Sequence, residues 1–141
     1  MVKNKASDNI FNLVENLSFK STDLVKKAAL AINQTLVFST PVDTGRARGN
    51  WVIGIDSPNS TINFKEVSKI SKNSSSITKD TIENNKKKIN SFSSSNKSIF
   101  ISNNLPYIGR LNDGYSAQAP SGFVEKAVQS GINAIKNEEL L

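Results

Sequence analysis

Neither cysteine nor histidine occurs in the 141 residues of the chain. Without cysteine there can be no disulfide, no zinc-thiolate site and no thiol nucleophile. Without histidine the Ser-His-Asp and Cys-His engines, the HExxH metalloproteases and most imidazole base chemistry fall away. Arginine is nearly as scarce: Arg46, Arg48 and Arg110 stand against fifteen lysines. No apolar run approaches the ~20 residues that cross a bilayer, and Met1-Val2-Lys3-Asn4-Lys5 begins no apolar leader stretch. The acidic residues are not clustered in a metal-ligand pattern. The expectation is a non-enzymatic protein with no cofactor, no metal and no membrane partner, built as one domain over residues 1–141.

What is abundant is lysine, asparagine and serine. The net charge is +6. Between Asp56 and Ser98, twelve Ser, seven Asn and eight Lys make up 27 of 43 residues, against four acidic ones. Few large apolar side chains punctuate this stretch, so it should not offset its own ordering entropy. We expect the segment at about 57–98 to be extended, and either held by neighbouring subunits or packed onto the sheet. Its one internal periodicity is a polar helix near Lys79–Asn90, with Ile82 and Ile89 a heptad apart. In this lysine background the three arginines are the informative cations, because a planar fork is used where geometry matters. All three are expected to make bidentate contacts, within the subunit or across subunits.

Periodicity outlines the rest. Leu24, Ala28, Ile32 and Leu36 form an i, i+4 row flanked by Val25, Ala29 and Ala31, with Lys26, Lys27, Asn33 and Gln34 facing away. This predicts a helix over Ser21–Ser39, capped by Ser21 or Thr22 and stopped by Pro41. The weaker pattern of Ile10, Phe11, Leu13, Val14 and Leu17 predicts a short helix or a strap before it. Trp51, Ile53 and Ile55 alternate as a strand, and Ser98–Ser102 reads as a second. Asn103 to Gly114 reads as a loop with a helical turn. A last helix follows Pro120-Ser121-Gly122, with Val124, Ala127, Val128, Gly131 and Ile135 on one side. Gly131 inside it marks a place where another backbone comes close. The predicted class is α+β: a small, mostly antiparallel sheet packed by a long helix from the N-terminal half and a C-terminal helix.

Three sets of residues carry candidate chemistry. Asp43-Thr44-Gly45 resembles the catalytic loop of aspartic proteases, and a single copy fits a homodimer of the retroviral type. However, an amphipathic helix and Pro41 precede it instead of a strand, and Arg46 follows where a small residue belongs. A turn in which Asp43 accepts backbone N–H bonds is the simpler reading. Lys86-Lys87-Lys88 suits a basic nucleic-acid-binding module, yet no aromatics interleave for base stacking, which leaves loose contact with passing DNA. Trp51 is placed in the core. Tyr107 and Tyr115, in loops near Arg110, are core or interface anchors.

Two stretches then resemble a known family. The first is Thr40-Pro41-Val42-Asp43-Thr44-Gly45-Arg46-Ala47-Arg48-Gly49-Asn50-Trp51. The second is Ile99-Phe100-Ile101-Ser102-Asn103-Asn104-Leu105-Pro106-Tyr107-Ile108, continued by Leu111-Asn112-Asp113-Gly114-Tyr115-Ser116 and Gln118-Ala119-Pro120-Ser121-Gly122. Together they resemble the neck and tail-completion (tail-to-head joining) proteins of tailed bacteriophages, with Asn112 where that family usually has Glu. The resemblance implies a virion protein at the neck, assembled in the host cytoplasm as a ring of identical copies, expected to be a hexamer. Its neighbours would be head-side connector or adaptor proteins and a tail tube or tail terminator protein, with DNA passing through its channel. The residues singled out as motif and interface candidates are Asp43, Arg46, Arg48, Trp51, Asn104, Tyr107, Arg110 and Tyr115.

Overall fold

A computed structural model describes residues 5–41, 46–63, 74–114 and 121–136. In chain order these form helix α1 (Lys5–Ser39), a 3-10 turn (Arg48–Asn50), strand β1 (Trp51–Ile55), helix α2 (Ser74–Asn90), strand β2 (Ile99–Asn103), short helix α3 (Ile108–Asn112) and helix α4 (Phe123–Ile135). The expected class is observed. β1 and β2 pair antiparallel, and α1 packs against both α4 and the sheet. Asp43 and Tyr115 lie outside the described residues.

The first helix is longer than its periodicity suggested. It runs unbroken for 35 residues, about 52 Å, so Ser21 and Thr22 are interior positions and not caps. No proline or glycine interrupts Lys5–Ser39, and the weak pattern around Ile10–Leu17 continues the stronger one without a stop signal. The buried stripe also differs from the expected row. From Ser21 onward, Ala29, Asn33, Leu36, Val37 and Thr40 are the residues most enclosed. Asn33, read as facing away, is only 1% exposed, because its side chain has a buried partner on α2.

That partner explains how a polar segment joins the core. α2 turns Thr78, Thr81, Asn85 and Ile89 inward at spacings of three and four. The Asn85 amide donates to Asn33 Oδ1 at 2.8 Å and to the Trp51 carbonyl at 2.9 Å. One side chain thereby ties α2 to α1 and to β1, and Ile89 closes a cluster with Ala29 and Ile53. The second half of the Ser/Asn/Lys-rich segment thus packs within its own subunit. Composition concealed this because small polar residues bury cheaply once hydrogen-bonded.

A two-stranded sheet is marginal alone and needs a cover. Helices supply it: Leu36, Val37, Trp51, Phe123 and Ala127 form a second cluster shared by α1, β1 and α4. In α4 the buried positions are Phe123, Ala127 and Gly131. Val128, expected on the inner side, is 43% exposed, as is Ile132 at 49%. At Gly131 α4 packs tightly against α1. A Cβ there would collide with the Ile32 side chain and lie 3.0 Å from the Ala28 carbonyl oxygen. The same logic holds at Gly54, where a Cβ would strike the Ser57 carbonyl oxygen of the loop folded over β1.

The strands are separated by 43 residues of sequence, so no tight hairpin sets their register. Asp56 does so instead. Held at φ 64°, it accepts hydrogen bonds from the backbone N–H groups of Lys97 and Ser98 and from the Asn96 amide at 2.9 Å. Its own N–H donates to the Ser98 carbonyl at 2.9 Å. The residue just past β1 therefore grips the residues just before β2.

Two outcomes test these contacts. Gly131→Ala gains ~1 kcal/mol of helix propensity, but overpacking a tight helix crossing costs about 1–3 kcal/mol. We expect a net loss in thermal unfolding, with Ile32→Ala recovering part of it in a double-mutant cycle. The hydrogen bond from Asn96, then those from Lys97 and Ser98, hold the Asp56 carboxyl below its ordinary value. A depressed carboxylate stabilises the fold above the unfolded value of about 4 and loses that effect as pH falls through the folded value. Parent protein should therefore melt above Asp56→Asn at neutral pH, with the gap closing in acid. A gap that is constant with pH would show that charge at Asp56 does not matter.

Candidate functional site

The two motif stretches are about fifty residues apart in sequence and meet at one end of the sheet. Trp51 opens β1 and pairs in register with Asn103, which closes β2. The Asn103 amide donates to the Ala47 carbonyl at 2.9 Å, while its oxygen accepts the Leu105 N–H at 3.2 Å. Asn104 donates to the carbonyls of Asn59 at 2.8 Å and Thr61 at 3.1 Å. Asn50 answers from the first stretch. Its amide donates to the Arg46 and Asn63 carbonyls, and its oxygen accepts the Asn63 N–H at 2.6 Å.

Arg48 occupies the centre. A helix end leaves carbonyls without intrahelical partners, and α1 has no basic residue in its last turn. Arg48 supplies the missing donors from outside. Nη2 donates to the Phe38 carbonyl and Nε to the Thr40 carbonyl, both at 2.7 Å, and Nη1 donates to Thr78 Oγ1 at 3.1 Å. Partial burial lowers the guanidinium from its ordinary value, but it remains charged and complements the negative end of the helix. Thr40, fully buried, completes the junction. Its hydroxyl donates to the Leu36 carbonyl and accepts Trp51 Nε1–H at 2.8 Å. Trp51 is a core residue, 5% exposed.

The remaining candidates divide. Tyr107 is half-buried where α3 begins, and Arg110 is exposed on α3. Arg48 makes a fork contact within the subunit, whereas among the described residues no hydrogen bond of Arg110 to its own subunit is seen. Asn112, where the family that the sequence resembles usually has Glu, has a clear task. Its Oδ1 accepts the Val124 N–H at 2.9 Å, its amide donates to Glu125 Oε1 at 2.9 Å, and its carbonyl accepts the Gly122 N–H at 2.7 Å. It caps α4 from a distance, and its hydrogen bond lowers the Glu125 carboxyl.

Sequence reasoning missed Phe38. It is 54% exposed and forms a ridge between two hollows. One is an open groove of about 730 Å³ between α1 and α2, lined by Leu30, Gln34, Ile82 and Lys86 among others. The other, about 380 Å³, lies between α1 and α4 beside Thr35 and Ser130. A phenylalanine four residues after Gln34, on the polar side of an amphipathic helix, was the available signal. No group of three or more acidic, His or Cys side chains able to hold a metal occurs among the described residues. None of their helices is long and apolar enough to cross a membrane.

Compared with known protein families, with curated proteins and with solved structures, the chain finds no match in any of the three.

The Arg48 fork generates a prediction. Arg48→Lys keeps the charge but can satisfy fewer of the three acceptors, and we expect a loss of about 1–3 kcal/mol. Arg110→Lys, at an exposed position, should stay within about 0.5 kcal/mol of the parent. Denaturant unfolding of both variants checks this, and equal stability of the two would refute the role given to Arg48.

Proposed function

We propose that this chain is a structural protein of a tailed-bacteriophage particle, one copy of a ring that joins the head connector to the tail. The observation that carries the reading is the convergence of the two motif stretches. Their polar side chains act on backbone: Arg48 on the end of α1, Asn103 and Asn104 on the loops beside the strands, Asn112 on the start of α4. Side chains used up in this way position a surface and are not free to act on a substrate. The aspartic-protease reading receives no comparable support, since α1 runs helically to Ser39 where that family needs a strand before the triplet. In the ring, the exposed lysines of the last turn of α2, Lys87 and Lys88, would face any DNA in the channel.

The test is microscopy of particles. A gold-labelled antibody against the chain should decorate the junction of head and tail. Cells that cannot make the protein should accumulate filled heads and separate tails. Label on the capsid shell or the tail tip, or joined particles in the absence of the protein, would refute the reading.

A further inference from the structure

The sheet has two edges, and they are finished differently. The Asp56 N–H donates to the Ser98 carbonyl. In this antiparallel register Gly54 and Val52 therefore bond Phe100 and Ser102, and the residues between them point their N–H and C=O groups outward. On β1 those outward carbonyls are taken. The Asn85 amide donates to Trp51 and the Asn59 amide to Ile53. On β2 the outward groups belong to Ile99, Ile101 and Asn103, and among the described residues nothing bonds to them. The strand also lacks what usually guards an edge, since Ile99–Asn103 contains neither proline nor any charged residue.

An apolar shelf lies beside this open edge. The Thr35–Ser130 hydrogen bond and the hollow next to it put Ser130 on the Ala31 and Gln34 flank of α1. The sheet packs on the other flank, through Ala29 and Leu36. Val128 and Ile132 are each two residues from Ser130, about 200° round α4, so they point to the side of the sheet. α2 holds β1 from its outer edge, and Ile101 packs on the cluster that contains Phe123 and Ala127, so β2 is the strand on the α4 side. Val128 and Ile132 nevertheless stay exposed, because the sheet ends before it reaches them.

We propose that the outer edge of β2 pairs antiparallel with β2 of a second copy of this chain, joining two small sheets into one of four strands. The edges select this occupant. β1 cannot serve, because its outward carbonyls are already bonded, so among the described strands β2 can meet only β2. Centred on Ile101, the pairing sets Ile99 opposite Asn103 and Ile101 opposite its own counterpart, and each of these outward residues exchanges both its bonds. Lys97 of one copy then stands opposite Leu105 of the other, so no like charges face across the seam. The two-fold axis also turns the α4 helices antiparallel. Glu125 and Lys136 are exposed on the flank of α4 opposite buried Ala127, one near its start and one just past its end, so the pair brings unlike charges together. The strand that the second copy adds covers Val128 and Ile132. The contact is isologous and closes at two copies. It goes beyond the neck reading and does not rest on it, since a ring needs head-to-tail contacts elsewhere on the surface.

The chain has no cysteine of its own, so introduced ones report without interference. In this register Phe100 of one copy faces Ser102 of the other as a pair without ladder bonds, with Cα atoms about 4.5 Å apart, close enough for a disulfide. Phe100→Cys and Ser102→Cys, made singly in the full chain and mixed under mild oxidation, should give a disulfide-linked dimer that neither gives alone. In the parent protein the Ile99, Ile101 and Asn103 amides should exchange freely in dilute solution and become protected as concentration drives dimerisation. Val128→Asp with Ile132→Asp, at exposed positions, should keep the parent melting temperature and raise the dissociation constant about tenfold or more. Self-linking of Phe100→Cys as strong as that of the mixture would mean a different contact and overturns the proposal. Protection of the three amides that does not change with concentration would mean that the chain covers its own edge, and a monomer at the highest soluble concentration would mean that the edge stays open. Either result overturns it equally.

Discussion

The end of α1 is the constraint on which the rest of the chain is arranged. A helix that stops inside a protein leaves carbonyl oxygens pointing at whatever comes next, and leaving one buried without a donor costs ~1–3 kcal/mol. Here the next residues supply their own solution. Arg48 reaches back to the Phe38 and Thr40 carbonyls while the Thr40 hydroxyl holds Trp51. The direction of β1, the depth of Trp51 and, through Thr78, the seat of α2 all follow from where that fork must stand. A lysine could supply the charge but not three donors in one plane, which is why arginine appears here in a chain otherwise built with lysine.

The second organising feature is the use of side-chain amides in place of sheet. Two strands of five residues each cannot satisfy or cover the loops that surround them. Asn50, Asn59, Asn63, Asn103 and Asn104 do it instead, each donating to a backbone carbonyl. An amide offers a donor and an acceptor on one short arm, so it can close a loop at both ends. Asn33 and Asn85 extend the device into the core, where a hydrogen-bonded amide pair fixes the register of α2 on α1 more narrowly than apolar contact would. The composition that suggested an unstructured tract is in good part the material of the fold.

This explains what could be read beforehand and what could not. The strand at Trp51–Ile55, the turn and short helix before Gly114, the last helix and the close approach at Gly131 all followed from periodicity and breakers, which are local signals. The burial of Asn33 and Asn85 did not, because the sequence shows a polar residue but not the partner 52 positions away. The length of α1 was lost because its N-terminal half lacks a breaker as well as a strong stripe. Val128 was misplaced by one step around α4, since a helix with apolar residues on two adjacent faces does not say which faces inward. Of the candidate residues, Arg48, Trp51 and Asn104 were identified by type and motif, whereas the exposed Phe38 sits on the polar side of α1, four residues after Gln34, where a row read only for burial does not look.

The 35-residue length of α1 has a physical sense of its own. Nucleating a helix is costly and extending one is cheap. The packed half of α1, anchored by α4, α2 and the sheet, meets the nucleation cost once for the whole 35 residues. The rest of the helix follows at only the cost of propagation, and no glycine or proline within Lys5–Ser39 stops it.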